Sequence, residues 1–171
     1  MATPSTSLTD ITLDLEAGAL RLARVLDATT ARLWQALTTD SQMSAWYPTR
    51  VEIDPRLGGT VTLTFPGAEP ERVSVLDLVE ERALELGADG DTVRFELDPQ
   101  PGRGGTLLTL IASVAPDGAH AANLAAGYDL CLDQLQTLLR HGPDAVERHE
   151  MPPPEETVAR YARELNIPGD L

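Results

Sequence analysis

The segment from Val51 to Leu110 alternates apolar and polar residues almost throughout. This period of two is typical of strands that bury one face and expose the other. The connectors are short and rich in turn-forming residues, as in the Ala-Asp-Gly-Asp stretch at 88–91. Because a parallel crossover needs about a dozen residues or more, they predict an antiparallel meander of hairpins. The apolar positions are Val51/Ile53, Val61/Leu63/Phe65, Val73/Val75, Leu84/Leu86, Val93/Phe95/Leu97 and Leu108/Leu110.

A long helix is predicted after the meander, with one apolar stripe that Gly142 and Pro143 follow. The stripe consists of Leu124, Tyr128, Cys131, Leu132, Leu135, Leu138 and Leu139. Before the meander, two strands are predicted at residues 11–15 and 19–27. Two short helices then follow, with Thr29 or Thr30 able to cap the first and Asp40 the second. One apolar-faced helix and one apolar-faced sheet cover each other, so the predicted fold class is α+β.

Several stretches of the chain resemble a known superfamily. They include LWQALTTDSQMSAWY from Leu33, DPRLGGTVTLTF from Asp54 and AAGYDLCLDQLQTLL from Ala125. Together they resemble the SRPBCC or START-like superfamily and, within it, homologues of the activator of heat-shock-protein ATPase. The resemblance covers residues 8–141. It implies a helix-grip fold, like that of the birch pollen allergen, in which an antiparallel sheet wraps around the long C-terminal helix and the two short helices follow the first long strand.

The resemblance also implies a cavity between the sheet and the long helix. Small residues at 121, 122 and 125–127 favour an unfilled space there, although they could instead face solvent and the core could be fully packed. The expected ligand-binding residues are Trp46, Leu63, Phe65, Phe95, Leu124 and Tyr128. An aliphatic cavity with few polar groups favours non-enzymatic binding of an apolar or aromatic small molecule, without a cofactor. The alternatives are a polyketide cyclase or aromatase-like enzyme and a protein-binding, co-chaperone-like domain.

Charge and composition exclude several kinds of partner. A net charge of -14, with thirteen arginines and no lysine, argues against nucleic acids and anionic membranes. No apolar stretch approaches the ~20 residues of a membrane span. The absence of a visible signal peptide and the single Cys131 favour the cytoplasm. Cys131 lies on the helical stripe and is expected to be buried and slow to react.

The remaining titratable residues do not form a recognisable catalytic or metal motif. His120 and His141 lie near opposite ends of a helix, about 30 Å apart at ~1.5 Å per residue, and His149 lies in the tail. The segment from His141 to Glu150 lacks metal-ligand spacing and is interpreted as a solvated loop. We expect no catalytic and no metal-binding residue. Three arginines lie where they could approach the sheet interior or its rim and meet a carboxylate-bearing ligand, although extension to solvent is favoured: Arg21, Arg24 and Arg50.

Residues 142–171 form a separate tail, with a Pro-rich spacer and a short helix. Val158, Tyr161 and Leu165 share one side of that helix, and leaving them in water would be unfavourable. The helix is therefore expected to dock on its own domain or on a second protomer, with a homodimer contact favoured. Residues 8–141 are expected to fold without it.

Overall fold

The computed structural model describes residues 9–102, 104–118, 120–147 and 153–167. Within these residues the strands are β1 (Asp10–Asp14), β2 (Ala19–Leu26), β3 (Arg50–Ile53), β4 (Thr60–Thr64), β5 (Glu71–Val79), β6 (Ala83–Ala88), β7 (Asp91–Pro99) and β8 (Thr106–Ser113). The helices are α1 (Thr30–Thr38), α2 (Asp40–Trp46), α3 (Ala121–His141) and α4 (Glu155–Glu164), with a 3-10 turn at Pro143–Ala145.

The eight strands form one antiparallel sheet in the order β1-β2-β8-β7-β6-β5-β4-β3. Strands β3 to β8 are consecutive neighbours, as the short connectors predicted. Pairing of β2 with β8 brings the N-terminal hairpin beside the last strand. The connection from β2 to β3 therefore carries the chain to the far edge of the sheet. This connection consists mainly of α1 and α2. The α+β class and the helix-grip arrangement are confirmed.

Local hydrogen bonds fix the two short helices. The hydroxyl of Thr29 accepts a hydrogen bond from the backbone N–H of Arg32 at 3.1 Å and so caps α1. The sequence predicted that Asp40 caps α2, and this is wrong. Asp40 is the first helical residue, and Thr39 holds the cap position. Its carboxylate instead accepts a hydrogen bond from the backbone N–H of Ile53 at 2.8 Å. Asp40 therefore ties α2 to the edge strand β3.

The long helix α3 buries one face against the sheet. Its second half contributes large aliphatic residues, including Leu132, Leu135 and Leu138, which are almost completely buried. Its first half contributes the small residues Ala121, Ala122, Ala125 and Ala126, and these are buried too. The alternative that the small residues face solvent is therefore wrong. None of the helices in the described ranges is long and apolar enough to cross a membrane.

The tail helix α4 packs against α3 of the same chain. Tyr161 is only 3% exposed, and Val158 and Leu165 pack against the core. Docking of this helix is confirmed, and the surface it covers belongs to its own chain. The apolar stripe that had favoured a homodimer contact is thus buried without a second protomer.

A buried arginine joins β2, α3 and α4. Arg24 was expected to extend to solvent, and this is wrong, because it is 3% exposed. Its guanidinium contacts the Asp129 carboxylate at 2.7 Å and the Asp133 carboxylate at 2.8 Å. The Tyr161 hydroxyl donates to the other oxygen of Asp129. A charge on the inner face of the sheet is tolerated here because α3 presents carboxylates one helical turn apart.

A candidate ligand-binding site between the sheet and α3

Two cavities border the first half of α3, and the first of them lies between the helix and the sheet. The first has a volume of about 330 Å³ and the second about 270 Å³. Tyr47, Leu124 and Tyr128 line both, so the two cavities share a wall. The first is also lined by Leu63, Glu71, Val73, Leu86, Gly87, Asp91, Thr92, Val93, Ala112 and Ser113. The second is also lined by Pro48, Phe65, His120, Asn123, Gly127 and Pro153.

The sheet register explains the apolar floor of the first cavity. Leu86 of β6 lies opposite Val93 of β7, which lies opposite Ala112 of β8. These positions form a row across three strands on the face that points to α3. On the other side, α3 contributes Leu124 and Tyr128, which are only partly buried. The alanines of the same turns are buried in the core and do not line the cavity: Ala121, Ala122, Ala125 and Ala126.

Two tyrosine hydroxyls meet where the cavities adjoin. The oxygens of Tyr47 and Tyr128 are 3.4 Å apart, and their ring centroids are 6.4 Å apart with a 49° tilt. Burial raises the pKa of Tyr47 well above its ordinary value, and burial also raises the pKa of Tyr128. Both phenols therefore stay protonated at neutral pH. The two neutral phenols belong to the wall that the cavities share.

Tyr47 is held rigidly by the end of α2. Its backbone N–H donates to the carbonyl of Met43 at 2.9 Å and closes the last turn of the helix. Its ring meets Trp46 edge-on, with centroids 5.5 Å apart. The indole N–H of Trp46 donates to the carbonyl of Ala36 at 2.9 Å, and Gln134 donates to the carbonyl of Trp46 at 3.4 Å. Trp46 is thus fixed by α1 and α3, and the Tyr47 ring contacts Trp46 of α2 and Tyr128 of α3.

The structure places the six predicted binding residues in two environments. Leu63 lines the first cavity, Phe65 lines the second, and Leu124 and Tyr128 line both. Trp46 and Phe95 are fully buried and pack edge-on at 5.9 Å within the core. They do not line either cavity. The Trp46 ring packs against Tyr47, and Phe95 packs against Trp46.

Sequence reasoning missed several residues of the cavity. Tyr47 follows Trp46 and precedes Pro48, and this position at a helix end was the available signal. Glu71 and Asp91 begin β5 and β7, and Ser113 ends β8. Their proximity depends on how the sheet brings strand ends together, which no local pattern records. They give one end of the first cavity a polar, acidic rim.

Other reactive side chains lie elsewhere or are inert. Cys131 is buried as expected, and burial raises the pKa of its thiol to about 12. His120 lines the second cavity, whereas His141 ends α3. His149, weighed as a metal ligand with Glu150, lies outside the described residues. Among the described residues no three His, Cys, Asp or Glu side chains are grouped to hold a metal ion.

The fold, with a cavity between its sheet and its long helix, defines a helix-grip protein of the SRPBCC type. The family model described as "Activator of Hsp90 ATPase homolog 1-like protein" matches residues 27–140. The chain belongs to this family, as its sequence stretches suggested. No curated protein matches the chain significantly.

Solved structures share the architecture at low sequence identity. EF2215 from Enterococcus faecalis, a conserved protein of unknown function, is 20% identical with a TM-score of 0.73, over 94% of this chain and 92% of that one. CalU16 from Micromonospora echinospora is 21% identical with a TM-score of 0.67, over 95% and 93%. NE0264 from Nitrosomonas europaea is 22% identical with a TM-score of 0.63, over 75% and 97%. These likenesses support the fold.

Proposed function

We propose that this protein binds an apolar or aromatic small molecule in the two adjoining cavities, without chemically changing it. The observation that carries the proposal is the position of the first cavity, which lies between the two layers of the fold. Leu63, Val73 and Val93 of the sheet face Leu124 of α3 across the first cavity. Apolar walls on both sides favour a ligand that gains free energy by leaving water.

The size of the site fits this proposal. The first cavity, at about 330 Å³, already lies within the ~300 to 1,000 Å³ typical of small-molecule sites. The second cavity adjoins it at Leu124 and extends the apolar surface toward Phe65 and Pro153. At roughly 25 cal/mol per Å² of buried apolar surface, a ligand of two or three fused rings would gain several kcal/mol before the costs of association are subtracted.

Blocking the first cavity tests the proposal. N-phenyl-1-naphthylamine, a neutral dye that fluoresces in apolar surroundings, is titrated into the wild-type protein and into Leu63→Trp. Leu63 lines the cavity and is only partly buried, so the larger ring would project into the space. We expect the variant to keep its melting temperature and to bind the dye at least about tenfold more weakly.

The matched control is Leu57→Trp, which makes the same change on a side chain that is 70% exposed. This variant should bind the dye as the wild type does. Equal dye binding by all three proteins, or no binding by any, would rule out the proposed site.

An enzyme of the polyketide cyclase or aromatase kind is the second candidate. The observation in its favour is that titratable groups reach the cavity, namely Tyr47, Tyr128, Glu71 and Asp91. Native mass spectrometry of protein purified from cells would identify a retained molecule. Incubating that molecule with fresh protein then distinguishes the candidates, because an enzyme would change its mass or structure and a binder would return it unaltered.

A further inference from the structure

Tyr47 and Tyr128 lie where a ligand occupying both cavities would pass. Both residues line both cavities, and the remaining shared residue is the aliphatic Leu124. A molecule that fills the site would therefore place its middle beside these two tyrosines, whose hydroxyls adjoin each other. Its two ends would lie against mainly apolar surface.

The hydrogen-bonding capacity of the pair is incompletely used. Each phenol has one proton to donate, and the 3.4 Å separation can engage only one of the two protons. That separation is also longer than the ~2.5 to 3.0 Å of an ordinary O–H···O bond. At least one hydroxyl proton is therefore available to an acceptor in the cavity. A ligand that covers the pair without supplying an acceptor would leave a buried donor unsatisfied, which is costly.

We propose that the ligand carries a neutral oxygen acceptor, such as a ketone or quinone carbonyl, near the middle of an apolar ring system, and that Tyr47 and Tyr128 bind this oxygen. This inference rests on the proposed function and names its ligand class. The two hydroxyls are positioning and specificity groups for the ligand.

The charges around the first cavity disfavour an anionic ligand. Glu71 and Asp91 line its polar end, and the chain as a whole carries a net charge of -14. A carboxylate brought there would be repelled by both carboxylates and would lose its hydration. A carbonyl accepts the same hydrogen bonds without this repulsion, so the arrangement selects a neutral acceptor.

Fluorene and fluorenone form a matched pair of probes, since they share the ring skeleton and differ at the central carbon, which carries a carbonyl oxygen only in fluorenone. Binding is measured by displacement of N-phenyl-1-naphthylamine from the full chain. We expect the wild type to bind fluorenone about tenfold more tightly than fluorene, because one hydrogen bond is gained and no donor is left unsatisfied.

The decisive variant is the double substitution Tyr47→Phe/Tyr128→Phe. Removing one hydroxyl alone would free the proton of the other, so single variants should retain part of the preference. The double variant should lose the preference for fluorenone, and it should bind fluorene at least as tightly as the wild type does, because no donor is left for fluorene to cover. The matched control is Tyr161→Phe, which removes a hydroxyl outside both cavities and should keep the tenfold preference.

Infrared spectroscopy of bound fluorenone gives a measurement that needs no variant. A carbonyl bonded to the tyrosines should absorb at lower frequency than fluorenone in hexane, whereas an unshifted band would overturn the inference. Equal affinity of the wild type for the two probes would also overturn it while leaving the proposed function intact. If neither probe binds, the inference and the proposed function both fail.

Discussion

The two halves of α3 differ in what they pack against. The first half, residues 121–128, borders both cavities, whereas no residue of 129–141 lines either one. The second half instead contacts leucines of the core, the buried Arg24 and the tail helix. One helix thus supports a candidate binding site at one end and much of the packing at the other. Such a division allows a cavity to persist because the cost of its missing contacts is offset elsewhere in the same element.

Truncating a leucine in each half of α3 provides the strongest test of this contrast. Leu132→Ala should lower the free energy of unfolding by about 4 kcal/mol, because Leu132 is fully buried and its loss leaves a new void. Leu124→Ala should cost about 1 kcal/mol, since Leu124 is only partly buried and already borders a cavity. Urea denaturation of both variants gives the values. Equal costs would show that the first half of α3 is as tightly packed as the second.

Breaking the arginine network should have the next largest effect. Arg24→Met should cost about 3 kcal/mol, near the lower end for removing one partner of a buried ion pair. The cost stays near that end because the Thr9 and Tyr161 hydroxyls still donate to Asp129. Arg21→Met on the same strand is the control, and its exposed side chain predicts a change within ~0.5 kcal/mol. A small effect at Arg24 in urea denaturation would mean that the network contributes little to the packed half.

The thiol of Cys131, in the second half of α3, should make stability depend on alkaline pH. Its pKa is raised by burial from an ordinary 9.0 to about 12, so above pH 9 the unfolded chain loses a proton that the folded chain keeps. The buried, protonated thiol contributes to the free energy of unfolding. This contribution is fully present below pH 9 and is lost as the pH rises toward 12, by up to ~1.4 kcal/mol per pH unit. Unfolding measurements from pH 8 to 10 should show this slope, and Cys131→Ala should flatten it.

Native labelling with a thiol reagent checks the same environment. We expect little reaction at pH 8, where the folded thiol stays protonated and buried. Rapid labelling, or an unchanged slope in Cys131→Ala, would show that solvent reaches the packed half.

The smallest effect is expected at the tail. Tyr161→Phe removes the hydroxyl that donates to Asp129 and accepts from Arg160, and should cost about 1 kcal/mol. Hydrogen exchange should then quicken in residues 155–164, because α4 loses its polar link to α3. Unchanged exchange rates would mean that apolar contacts alone hold the tail.

The apolar periodicity was sufficient to predict the sheet, the long helix and the tail helix. Alternation at residues 51–110 identified strands with one buried face, and the short connectors left antiparallel pairing as the arrangement that fits. Four of the six predicted binding residues line the cavities for the same reason, since inward strand positions and the helix face are local properties. Trp46 and Phe95 lie deeper in the core. The apolar pattern did not reveal this, because it does not distinguish a residue that lines a cavity from one packed behind the lining.

The placement of Arg24 illustrates what a local pattern omits. From the sequence, an arginine at an inward strand position is most simply expected to reach solvent. Its burial depends on Asp129, Asp133 and Tyr161, which lie more than a hundred residues away in the chain. The same dependence on distant partners hid the acidic rim formed by Glu71 and Asp91.

By itself, the sequence determined which faces are apolar, which segments form strands and helices, and that α3 starts with alanines and continues with leucines. These are properties of neighbouring residues, governed by steric preferences and by the period of a helix or strand. Only the tertiary structure decided that a space stays unfilled beside the first half of α3, that Tyr47 and Tyr128 meet in its wall, and that α4 covers its own chain. Those outcomes depend on how volumes and polar groups from distant segments fit together, and close packing makes that fit a property of the whole chain.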